Sequence, residues 1–248
     1  MTGPFRAALK EDSMANRFLT LGVAALALGA LSAQAAVVVT WTGTVSDGND
    51  TADYFGVGPN ANPLGNLQGQ SFTAQFTIDP TVGSVTTAAD YLDVRGGTFT
   101  GAFASPLISA TLTINGVTYS YGSSYFGAYQ RDATPGRSVI YTEADQEQAP
   151  GVFDILALME FRPDNSIPFG GIGESLTEAL DGPFVANFQA FAPGGSSLLF
   201  SGHFSPSLVT IEPSTTGGPD VPEPSTAVLV SAAAAFALVL RRRGQRPV

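Results

Sequence analysis

The sequence predicts an all-β protein: a two-layer β-sandwich of jelly-roll type, with an apolar segment at each end of the chain. Three observations lead there. Apolar and polar residues alternate with period two along much of the chain. Clusters of Gly, Pro and Asn separate the alternating runs, as turns between strands require. Helical signals are thin, because the capping box of residues 175–178 meets Gly182-Pro183 within about two turns.

In chain order, residues 37–45 place Val37, Val39, Trp41 and Val45 on one face and Val38, Thr40, Thr42 and Thr44 on the other. Residues 71–78 alternate more cleanly, with Phe72, Ala74, Phe76 and Ile78 inward, and Asp79-Pro80 ends the run because proline cannot donate to a ladder. Residues 98–103 make a short strand. Residues 108–114 and 117–121 flank Asn115-Gly116, whose tolerance of positive φ suits a type I′ hairpin turn. Further strands are expected at 138–142, 152–159, 184–191 and 198–204, for eight or nine in all.

The chain has 248 residues and no cysteine, which excludes a disulfide framework and thiolate metal sites. Residues 36–220 carry eighteen acidic side chains, four arginines (Arg95, Arg131, Arg137, Arg162) and no lysine. A field of that sign repels nucleic acid, so no nucleic-acid partner is expected, and it favours solubility outside the cell.

Both ends read as addresses. Residues 1–35 form a signal peptide: Arg17 precedes an apolar run from 18 to 31, and Ala33-Gln34-Ala35 offers signal peptidase a small-x-small cleavage site. Met14 opens this segment, and residues 1–13 read as an upstream extension from a misassigned start. The β domain occupies 36–212, and a Thr/Gly/Pro-rich linker covers 213–221. Residues 222–246 then hold Pro222-Glu223-Pro224, an uncharged apolar run from 227 to 240, and Arg241-Arg242-Arg243. That run spans about 21 Å as a helix, short of the ~30 Å hydrocarbon core, unless flanking residues and snorkelling arginines extend it. The arginine cluster would keep this end cytoplasmic.

Pro222-Glu223-Pro224, the apolar helix and the arginine cluster, in that order, resemble the PEP-CTERM sorting signal; the tail also resembles one catalogued as an ice-binding protein C-terminal domain. The resemblance covers only residues 221–246. It implies a Gram-negative bacterium that makes exopolysaccharide and a transpeptidase-like exosortase that processes the tail. It further implies transient anchorage by a transmembrane helix, and release to the cell surface or extracellular matrix.

Within the domain, Asp47, Asn49, Asp50 and Asp53 gather oxygen ligands of the kind Ca²⁺ takes, although the same letters also make a solvated, Asx-rich turn. No other cofactor is expected. Tyr125, Phe126 and Tyr129 lie in an aromatic-dense segment that, if exposed, offers rings for stacking on sugars, with core packing as the simpler account. Threonines at 40, 42 and 44, at 98 and 100, and at 111 and 113 form Thr-x-Thr runs, either an ice-binding ladder or ordinary solvent-side strand positions. His203 is the only histidine, and Asp154 and Glu160 share one strand face as a conceivable glycosidase pair. None of these forms a catalytic constellation. The expectation is therefore a non-enzymatic surface or matrix protein associated with exopolysaccharide. The alternative is a carbohydrate-binding module, calcium-assisted or not, and a secreted hydrolase ranks third.

Overall fold

The computed structural model describes residues 36–58, 65–97, 102–164, 166–168, 174–181 and 184–214. The signal peptide with Ala33 and Ala35, most of the linker, Pro222-Glu223-Pro224 and the arginine cluster lie outside the described residues, as do positions 98–101 of one expected strand.

Alternation carries through into twelve strands. They are β1 (Val37–Asp50), β2 (Ser71–Ile78), β3 (Ser84–Ala88), β4 (Tyr91–Gly96), β5 (Leu107–Ile114) and β6 (Val117–Tyr121), then β7 (Phe126–Asp132), β8 (Ser138–Ala149), β9 (Val152–Arg162), β10 (Leu176–Ala179), β11 (Phe184–Phe191) and β12 (Leu198–Pro213). Asn115 and Gly116 both adopt positive φ between β5 and β6, as the I′ turn requires. Residues 176–179, which carry most of the thin capping-box signal, form β10 on β12, because pairing with Leu208 to Ile211 overrides that weak local preference. Beyond the strands, the described residues hold only a 3₁₀ turn at Pro193–Gly195 and no helix long and apolar enough to cross a membrane.

Every strand pair is antiparallel, and eleven of the strands follow one path, β3-β4-β7-β8-β9-β11-β12-β1-β2-β5-β6, with β10 off it on β12. The sheet is curled. Trp41 on β1 donates its indole N–H to the Thr142 hydroxyl on β8 at 2.9 Å. Four strand spacings separate β1 from β8, which in a flat sheet would be about 19 Å. The inner faces therefore meet, and the core they enclose includes Val37, Val39, Trp41, Phe76, Leu112, Leu158 and Ile211, all fully buried.

Two bulges set which residues face inward. On β1 the register shifts between Val45 and Asp47, so Ser46 is the extra residue and Asp47 points outward although Val45 is buried. On β12 Ser207 is extra, beside the buried Pro206, a position where a strand tolerates proline.

Between the bulges a run of rings crosses the core. Phe188 stacks on Phe204 at 4.4 Å, and Phe204 stacks on Phe72 at 4.0 Å. Gly202 pairs with both Phe188 and Gly48 across the three strands, leaving room for the Phe188 ring. A Cβ on Gly202 would sit 2.8 Å from the tip of that ring and 2.3 Å from the Asp47 carbonyl oxygen. Gly202→Ala is accordingly expected to lower the unfolding free energy by about 2 kcal/mol, the scale of core overpacking. The checking measurement is a reduced urea midpoint at unchanged slope.

Candidate functional site

The β1 bulge distributes the four expected calcium ligands to different places. Asp50 faces inward, 3% exposed, and accepts the backbone N–H groups of Tyr54 and Phe55 at 2.7 and 2.6 Å. Asp53 accepts the Gly58 N–H at 2.8 Å. Asp47 and Asn49 face outward and are exposed. The four side chains do not converge, and among the described residues no group of three or more His, Cys, Asp or Glu side chains is placed to hold a metal.

The aromatic segment also departs from the expected platform. Tyr125 and Tyr129 are 6% and 1% exposed and pack in the core, whereas half-buried Phe126 alternates to the opposite face beside Asp145, so the three rings do not form one stacking surface. Tyr125 donates its hydroxyl to Asp154 at 2.8 Å. Asp154 is fully buried and also accepts from Gln148 Nε2 and from the Phe191 N–H, each at 2.7 Å. Burial and this carboxylate push the Tyr125 phenol far up, and burial likewise raises Tyr119 to about 12.

Glu160 shares the inner face of β9 with Asp154, but six residues of strand place them about 20 Å apart, well beyond a glycosidase pair. Glu160 instead accepts from Arg162 Nε at 2.8 Å. The same guanidinium reaches Glu178 at 2.9 Å and Asp181 at 3.2 Å, fixing the segment around β10. These carboxylates hold the fold together.

What the structure does assemble lies on the outer face of β1, β12 and β11. Asp47 pairs across strands with His203, and His203 with Asn187. One row along, Asn49 pairs with Ser201, and Ser201 with Gln189. Together they line a shallow cleft of about 230 Å³ floored by the backbone of Gly48, Gly202 and Phe188. His203 Nδ1 lies 2.8 Å from Asp47 Oδ1, and Gln189 Nε2 is held by the Phe153 carbonyl at 2.7 Å. The cleft offers amides, a hydroxyl, an imidazole and a carboxylate, a set that both donates and accepts hydrogen bonds. Ser201, His203 and Asp47 are the residue types of an acyl-transfer triad. The His203 and Asp47 side chains are 64% and 67% exposed, however, so nothing here shields a reaction from water. The geometry suits binding.

Sequence reasoning treated Asp47 with Asn49 and His203 as separate candidates and passed over Asn187, Gln189 and Ser201. Alternation in 184–191 does put Asn187 and Gln189 opposite Phe188, but nothing local says which strand lies beside them. Comparison of the chain with protein-family models, with curated proteins and with solved structures finds no match.

A separate acidic group on the outer face of β8 titrates unusually. Asp145 is raised to about 7 by burial and by the charges of Glu143 and Asp154, while the Tyr141 hydroxyl donates to Glu143. The folded pKa lies above the unfolded value near 4, so the native state binds more protons between pH 4 and 7. Stability is expected to fall as pH rises through that window, and Asp145→Asn to flatten the slope, read from urea midpoints at pH 4.5 and 7.5. Asp154→Ala strands a buried phenol, an amide and a backbone N–H, and is expected to cost about 3 kcal/mol or more by the same titration.

Proposed function

We propose that this is an exported, non-enzymatic cell-surface or extracellular-matrix protein, delivered through its PEP-CTERM-like tail and associated there with exopolysaccharide. The observation that carries the reading is the ordered tail: Pro222-Glu223-Pro224, then the apolar run, then Arg241-Arg242-Arg243. The processing partners are signal peptidase at Ala35 and an exosortase-type membrane enzyme near Pro224. The acidic, lysine-free domain suits display outside the cell.

The domain boundaries fit two-ended processing. The Ser214 N–H donates to the Ala36 carbonyl at 2.6 Å, just beyond the last pair of β1 and β12. Both expected cuts therefore fall outside the outermost hydrogen bond of the sheet, and removing both ends leaves every strand paired. Trp41 bridging to Thr142 also supports taking the curled sheet as a two-layer sandwich, without by itself selecting jelly-roll connectivity.

Intact mass of the protein recovered from cell envelope and medium tests the reading. The expected mass lacks residues up to Ala35 and residues after about Pro224, whereas a mass retaining 221–248 would reduce the tail to a plain anchor. Replacing Pro222 and Pro224 together with alanine is expected to let the tail helix continue and to block processing. Unchanged processing of that variant would mean the motif has been misread.

A further inference from the structure

The cleft beside His203 does not stand alone. A second cleft, about 410 Å³, lies between Thr42, Thr44, Ser71, Thr73, Ser205 and Ser207. A third, about 320 Å³, shares Ser71 and Thr73 with it and reaches Thr113 and Asn115. The register joins them: on the outer face the Thr44·Ser205 pair is followed, past the inward Val45·Phe204 pair and the Ser46 bulge, by Asp47·His203, and Thr42, Thr73, Thr113 and Thr118 form one row across β1, β2, β5 and β6. The three clefts thus follow one another across the outer faces of β5, β2, β1, β12 and β11, a path of about 19 Å at ordinary strand spacing.

The chemistry along this path is uniform. The outward positions of β1 from Val38 to Thr44, and of β2, β5 and β6 paired to them, are all serine or threonine except Val38 and Gln75. Among the described residues, Asp47 and His203 are the only ionisable ones lining any of the three clefts. Charge gathers instead on the other half of the sheet, where Asp93, Arg95, Glu143 and Asp145 face outward. Threonine is stiff at χ1, so its hydroxyls are held in place before a ligand arrives. Thr113 and Thr118 already share a hydrogen bond at 2.8 Å.

We propose that this path is a binding track for one chain of a neutral polysaccharide, with its amide- and imidazole-bearing end at His203. The proposal rests on the exopolysaccharide association above and gives it a surface and a ligand class. A row of hydroxyls and amides matches the hydroxyls of a sugar polymer, and successive shallow clefts match successive residues of one chain. The acidic domain repels anionic polymers, so the ligand is uncharged. Adjacent strands are rotated by about 20–25°, which makes the track a twisted ribbon. A flexible single chain can follow that twist, and a flat crystalline face such as ice cannot.

Titration calorimetry of the full chain in a sugar-free detergent, with neutral linear glucans of two and six residues and with alginate as anionic control, tests the track. The hexamer is expected to bind about tenfold or more tighter than the dimer, because it engages further clefts at high effective concentration. Thr42→Val with Thr73→Val keeps side-chain shape and is expected to reduce the hexamer to dimer-like affinity, leaving dimer binding in place. His203→Gln is expected to weaken both. No binding of either glucan, equal affinity of dimer and hexamer, tighter binding of alginate, or hexamer binding untouched by the double valine variant would each overturn the proposal. Ice shaping by the chain that the double variant abolishes would also overturn it and assign the face to ice. Glucan results leave the mature mass untouched, so failure of the track and failure of the export reading remain distinguishable.

Discussion

The contact between Trp41 and Thr142 is what turns a row of strands into an enclosed core. Left flat, a twelve-stranded sheet would expose one apolar face along its whole width and leave Trp41, Phe76 and Leu158 in water. Curling brings β1 over β8, and the apolar face becomes an interior. Each fully buried large side chain then gains on the order of 1.5–3 kcal/mol by leaving solvent. The price is that polar groups caught inside must find partners. The indole N–H and the Thr142 hydroxyl satisfy each other, and Asp154 takes up a phenol, an amide and a backbone N–H.

Curvature has local causes as well. The bulges at Ser46 and Ser207 lie on the two partner strands of the long β1·β12 ladder, three residue pairs apart, and both add twist where the chain must bend. They have a second effect, on chemistry. Ser46 reverses the parity of β1, sending Asp47 and Asn49 outward to the His203 cleft and Asp50 inward to cap its own loop. Ser207 lets one strand run past Pro206 and change neighbours, from β11 to β10. Fold and candidate site thus depend on the same two extra residues.

Charge is sorted by the same geometry. Asp93, Arg95, Glu143 and Asp145 lie on the outer face of the β4-β7-β8 half, while the β1-β2-β5-β6 half shows hydroxyls. In a domain this acidic, a face charged only at its Asp47–His203 end is a surface where a neutral partner meets little electrostatic cost of desolvation.

The sequence by itself determined the all-β class, the positions of the long alternating strands and the Asn115-Gly116 turn, because period-two burial and turn chemistry are local. Residues 71–78, 117–121 and 184–191 come out at their sequence-derived bounds. The short β3 escaped notice because it is an edge strand with no buried face, and β7 because Arg131 and Asp132 are buried beside Tyr129 and erase the alternation. Residues 198–204 looked complete because Pro206 reads as a stop, yet the Ser207 bulge carries the strand to Pro213. Only the tertiary structure decided which strands are neighbours. That is why Asp47 meets His203, why Tyr125 is buried on Asp154, and why scattered Thr-x-Thr runs align into one row: cross-strand partners come from distant parts of the chain, and a single inserted residue changes which face a side chain shares.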